Sequence, residues 1–158
     1  MITVNTVNFM KTGEMGIELI KKYEGLSLKA YRCPAGVWTI GYGSTRGVSR
    51  WSVISRADAE SRLREDIARI EPAVDQVVYL QKGIRQCQYD ALISFVFNLG
   101  IGAFGQSALR RRVVHDPDNP LIAKEFLRWV YIDGKVSTGL QNRRREETEL
   151  YFLYTRSL

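Results

Sequence analysis

The chain has 158 residues, 45% hydrophobic and 25% charged, proportions that exclude disordered and fibrous classes and suit one compact unit or two small lobes sharing a long element. Lys and Arg number 23 against 17 Asp and Glu, a net +6, which favours anionic partners such as nucleic acid, an acidic membrane surface or a wall polymer. Two cysteines, Cys33 and Cys87, and one histidine, His115, are too few for a disulfide scaffold, a zinc site or a Ser-His-Asp centre, so neither metal nor cofactor is expected.

In chain order, the opening MITVNTVNFM has no basic start and falls short of the roughly 20 apolar residues a membrane span needs, so neither a targeting segment nor a span is expected. Thr12 to Tyr23 reads as a helix: Thr12 as cap, Met15, Leu19 and Tyr23 on one stripe, Lys21 and Lys22 in the last turn, Gly25 as the stop. Leu26 to Thr45 changes to a hairpin pattern, with Pro34-Ala35-Gly36 as the turn before Val37-Trp38-Thr39-Ile40. Ser55 with Asp58 starts a long helix whose stripe is Ala59, Leu63, Ile67 and Ile70, with Pro72 as a kink or an end. Further helices are predicted near 84–99, 105–114, 120–131 and 142–155, with His115 in a turn-rich segment. The resulting class is α+β. A small N-terminal lobe (about 12–55) and a mainly helical C-terminal lobe (about 81–158) are joined by a connecting helix (about 56–80), with a cleft between lobes where a polymer would lie.

Glu24 is the first candidate for chemistry. It closes the first helix and so faces the negative end of the helix dipole, which disfavours its ionised form, with Tyr23, Leu26 and Tyr31 as apolar neighbours. That is the setting a general acid needs, although a plain surface glutamate has the same position in sequence. The segment Glu24-Gly25-Leu26-Ser27-Leu28-Lys29-Ala30-Tyr31-Arg32-Cys33 runs on through Thr39 to Gly41-Tyr42-Gly43. It resembles the active-site signature of the phage lysozymes, glycoside hydrolase family 24: Glu, eight residues, Asp or Cys, five residues, Thr. Two later blocks agree, Asp90-Ala91-Leu92-Ile93-Ser94-Phe95-Val96-Phe97-Asn98-Leu99-Gly100 with Ser107, and Trp129 through Asn142-Arg143-Arg144 to Glu147. The resemblance spans about 12–151.

The resemblance implies a lysozyme-like single domain and hydrolysis of the β-1,4 bond between N-acetylmuramic acid and N-acetylglucosamine in bacterial peptidoglycan. It implies Glu24, Cys33 and Thr39 as catalytic residues, with Glu24 protonating the leaving oxygen. Thr45, Phe97, Ser107 and Asn142 fall where family members contact glycan or peptide stem, though an aromatic on a central helix is also ordinary core. It further implies an endolysin that causes host lysis, acts as a monomer, and waits in the host cytoplasm until a holin lets it reach the periplasm and wall.

Two departures stand out. Cys33 occupies a position where many members have Asp, and no other acid lies between Glu24 and Asp58. Cys33 is then a base of lowered pKa, a bystander while Thr39 positions water, or a packed thiol. Ser44 stands where the family commonly has His, so an ion pair centred there is absent. The alternatives are a non-catalytic peptidoglycan-binding module that keeps a degenerate lysozyme fold, and a nucleic-acid binder prompted by Arg110-Arg111-Arg112. Retention of Glu24 and Thr39 argues against the first. The mixing of bases with acids, as in Arg143-Arg144-Arg145-Glu146-Glu147, argues against the second, and no nucleic-acid partner is expected.

Overall fold

A computed structural model describes residues 9–154; the opening stretch weighed as a targeting segment falls mostly on residues 1–8, outside the described residues. Helix α1 (Glu14–Glu24) buries Gly16, Ile17, Leu19 and Ile20. Its start differs from the expectation. Gly13, not Thr12, is the N-cap, and the side chain that caps comes from another helix: Asp90 accepts from the N–H of Gly13 at 2.8 Å and of Gly16 at 3.3 Å. Thr12 instead gives both its N–H and its hydroxyl to Glu71. A long-range carboxylate replaces the local cap because α1 must dock closely here. A Cβ on Gly16 would meet the Asp90 Cβ at 2.9 Å, so only glycine admits the approach.

Strands β1 (Ser27–Arg32) and β2 (Trp38–Gly41) pair antiparallel, with Tyr31 opposite Thr39 and Arg32 opposite Trp38. A third segment joins the other edge of β1 through Ala30 N–H to Ser52 O and Ile54 N–H to Leu28 O, each 3.0 Å. Helix α2 (Arg56–Leu80) opens with a capping box in which Ser55 and Asp58 exchange hydrogen bonds. At 25 residues it is about 38 Å long, enough to link two lobes. Pro72 does not end it; the helix runs eight residues further, with the carbonyl of Ala68 deprived of its usual partner.

Helix α3 (Gln86–Leu99) is buried without interruption from Cys87 to Val96 and forms the centre of the C-terminal lobe. Phe95 on it packs edge-to-face against Phe104, Phe126 and Trp129 at 5.6–6.3 Å between centroids. Around it lie α4 (Ile101–Gln106), α5 (Ala108–His115), α6 (Ile122–Leu127) and α7 (Thr138–Tyr151). His115 closes α5 in an exposed position. The predicted helix over 120–131 is cut short by a hairpin, β3 (Tyr131–Ile132) with β4 (Lys135–Val136). Asp133 and Gly134 take the positive φ values of 49° and 75° that a two-residue hairpin turn needs. That turn moves the start of α7 forward to Thr138, where Ser137 caps it.

Candidate active site

Glu24 is placed by the end of α1. Gly25 closes the helix, returning its N–H to Lys21 O at 3.0 Å. The carboxylate is 23% exposed. Its Oε1 accepts a 2.7 Å hydrogen bond from Nη1 of Arg143 on α7. Its Oε2 points to Gly43, where a Cβ would stand 3.6 Å away; no hydrogen bond reaches it among the described residues. Gly43 holds φ +98°, so it provides both the turn and the clearance beside the acid. The apolar surround expected from Tyr23 and Tyr31 does not form. Tyr31 is exposed, and the Tyr23 hydroxyl donates to Glu146 at 2.7 Å while its ring lies under Arg143. A cation faces Glu24 in place of that surround.

Arg143 is itself fixed on every side. Its Nε donates to Glu147 and its Nη2 to the Ser94 carbonyl, both at 3.2 Å. Glu147 is wholly buried, accepts 2.7 Å from the Ser94 hydroxyl, and also faces Arg144, whose Nε lies 3.2 Å away, too bent for a hydrogen bond. Arg144 lies over the Phe95 ring and donates to Asn98. Burial pushes the Glu147 carboxyl up against the pull of both guanidiniums, and burial pushes Arg144 down. Arg143 thus divides its charge between a half-exposed acid and a buried one.

Cys33 follows β1 directly and begins the turn, its N–H donating to Val37 O at 3.0 Å and its carbonyl accepting from Gly36 at 2.8 Å. The thiol is half-buried. The Val37 N–H beside the sulfur draws its pKa below the ordinary thiol range, helped by the Ala35 N–H and the Thr39 hydroxyl and opposed by partial desolvation. Thr39, buried on β2, also places its hydroxyl 3.0 Å from Val37 O. Its single proton serves that carbonyl or the sulfur, not both. Cys33 and Thr39 thus lie together, and Glu24 Oε2 faces Gly43 a few residues along the same strand and turn, where Ile40 and Ser44 exchange 2.9 Å backbone bonds. Ser44 is buried with its hydroxyl unpartnered.

The other sequence candidates are scattered. Thr45 is exposed just past that turn, and Asn142 is exposed beside Arg143 in chain order. Phe97 is half-buried and packs on the core. Ser107 is buried as the N-cap of α5, accepting from Arg110 N–H and donating to Phe104 O; it also borders a cavity of about 380 Å³ with Gln106, Arg111, Arg128 and Trp129. Sequence reading missed Arg143 as a partner of Glu24. The available signal was the four-residue spacing of Arg143 and Glu147, which puts both on one helix face.

A family model described as phage lysozyme matches residues 21–147. The chain is 40% identical over 146 residues to an endolysin of Acyrthosiphon pisum secondary endosymbiont phage 1, covering 90% of this chain and 98% of that one. It is 41% identical over 145 residues to an endolysin of Bacillus phage PZA, of whose length it spans 55%. Among solved structures, the muramidase domain of SpmX from Asticaccaulis excentricus superposes with TM-score 0.81 at 38% identity, covering 89% of this chain and 97% of that domain.

Proposed function

The chain belongs to the phage lysozyme family, and from that membership we propose that Glu24 delivers the proton that breaks a glycosidic bond of bacterial peptidoglycan while Cys33 and Thr39 manage the incoming water. As a lysozyme of endolysin type it is a hydrolase of the cell wall. The bond is the β-1,4 link from N-acetylmuramic acid to N-acetylglucosamine. The observation that carries the reading is the division of labour at Glu24: Arg143 holds one oxygen and the other is free beside Gly43.

A proton carried on Oε2 passes to the leaving glycosidic oxygen as the sugar–oxygen bond breaks. The carboxylate left behind is stabilised by Arg143, so the positive charge lowers the cost of the transfer, while Glu147 limits that pull by sharing the guanidinium. Water then adds to the cationic sugar and loses its proton to a base. A thiolate at Cys33, favoured by two backbone N–H groups and the Thr39 hydroxyl, suits that base. The assignment of Thr45, Phe97, Ser107 and Asn142 to glycan or stem contacts belongs to the same proposal. So do action as a monomer and release from the host cytoplasm through a holin. The test of the bond is product analysis. Digestion of purified peptidoglycan followed by borohydride reduction should yield reduced N-acetylmuramic acid ends; reduced N-acetylglucosamine ends would overturn the assignment.

A non-catalytic wall-binding module is not favoured, because Glu24, Cys33 and Thr39 are all retained in settings that suit chemistry.

A further inference from the structure

One stretch of the chain carries cations without a single acid. Residues 25–57 hold five cations, Lys29, Arg32, Arg46, Arg50 and Arg56, with no Asp or Glu. Arg46 is committed to Glu65 and Asp66 on α2. The other four are exposed and make no ion pair among the described residues.

The same lobe exposes aromatic and branched apolar side chains at its edge. Trp51 is 77% exposed and Val53 68%. The hydrogen bonds that pair 52–54 with β1 put Val53 opposite Lys29; the Ser52 N–H then turns back to Ser49 O at 3.0 Å, so Trp51 sits in the turn that leads into this edge. As directly opposed residues, Lys29 and Val53 share one face, and Trp51 precedes Val53 by two residues in the adjoining turn. The Arg50 guanidinium lies 4.4 Å over the Trp51 ring, so a cation stands at the rim of the apolar group.

We propose that this face docks on an anionic phospholipid bilayer, with Trp51 and Val53 seated in the headgroup region and Lys29 and Arg50 on lipid phosphates. Amphipathic aromatics flanked by unpaired Lys and Arg are the chemistry that prefers such an interface. A glycan platform is usually bracketed by amide and carboxylate side chains, and none stands among Lys29, Arg50, Trp51 and Val53. The proposal stands apart from the catalytic reading, since Glu24 and Arg143 take no part in it.

The test is flotation of the full-length protein with vesicles of phosphatidylcholine alone and of equal parts phosphatidylcholine and phosphatidylglycerol, at low salt. The wild type should float with the anionic vesicles only, and salt of about 0.5 M should release it, since screening then acts within a few ångströms. Each surface cation is worth roughly fivefold in partition, so the double variant Lys29→Gln with Arg50→Gln should bind about 25-fold less. Trp51→Ser with Val53→Ser should also lose binding, and both variants should digest purified, lipid-free peptidoglycan at the wild-type rate. Equal binding to both vesicle types, or unchanged partition of the cation variant, would overturn the proposal. Loss of peptidoglycan digestion in step with loss of flotation would overturn it too, because the face would then belong to the glycan site.

Discussion

The proposed role of Cys33 as base needs a thiol whose pKa lies below the ordinary value of about 8.5. The Val37 and Ala35 N–H groups and the Thr39 hydroxyl favour the thiolate, so alkylation of Cys33 followed against pH should reach half its plateau rate below that value. Thr39→Val should move the midpoint upward, while buried Cys87 gives the background. A midpoint at or above the ordinary value in the native protein would remove the base. Cys33→Asp should keep activity, since a carboxylate ionises without help, and Cys33→Ala should lose it; a fully active alanine variant leaves the thiol as packing. Arg143 is the residue with most at stake nearby. Arg143→Ala removes one of the two guanidiniums facing buried Glu147, leaves it Arg144 and Ser94, and should cost up to about 3 kcal/mol in denaturant unfolding. Arg143→Lys keeps charge but loses the planar fork that reaches Glu24, Glu147 and Ser94 at once, and should cost about 1–3 kcal/mol. Glu24, Cys33 and Thr39 stand in the sequence as a spaced motif, but the contacts of Glu24 with Arg143 and of Cys33 with Thr39 cannot be read there. Spacing along a chain says which side chains leave one hairpin, but not that α7, more than a hundred residues on, lays a guanidinium against the acid.

Among the elements, α1 depends on α3 for its start. Asp90 accepts from Gly13 and Gly16, and burial pushes its carboxyl up while those N–H groups and Gln86 hold it down. Gly16→Ala forces a methyl into the Asp90 side chain and should destabilise by about 1–3 kcal/mol. The melting temperature would show it; an unchanged value would mean the docking gives way freely. Glu125 ties α6 to α5. The hydrogen bond from Arg112, with help from Arg128, holds its carboxyl below the usual range against the desolvation that raises it. A depressed carboxyl adds stability that is present above its unfolded pKa and lost as pH falls through the folded one. Glu125→Gln should therefore be less stable than wild type at pH 7, by about 1–2 kcal/mol, and lose less on acidification below about pH 4.5. Parallel acid-unfolding curves for the two proteins would contradict this. Periodicity marked the helices because their buried faces repeat. It failed at 131–136, where Trp129-Val130-Tyr131-Ile132 continued an apolar run and concealed the Asp133-Gly134 turn signal. It also gave α1 a local cap, where a buried carboxylate from α3 does the capping.

For the whole molecule, composition pointed to an anionic partner but could not say where on the surface it would meet the charge; residues 25–57 hold five cations and no acid, and residues 81–158 carry a further excess of Lys and Arg that is left to attract the wall polymer. Digestion of purified peptidoglycan should slow as salt rises and the Debye length shortens to about 8 Å near physiological strength. A rate flat up to about 0.5 M salt would remove charge steering from the account. The two-lobe plan was legible because Ser55 and Asp58 announce a long helix directly after the first turn-rich β region. How the lobes meet at Glu24 was not, since that depends on side chains brought together by folding. The most direct measurement is the rate at which Glu24→Gln releases reducing ends from purified peptidoglycan, with circular dichroism and melting to show that the variant is folded. The amide can still accept from Arg143 but has no proton to give, so the rate should fall by about 10²–10⁴-fold with the fold intact. A folded variant that digests at the wild-type rate would contradict the assignment of Glu24 as the acid.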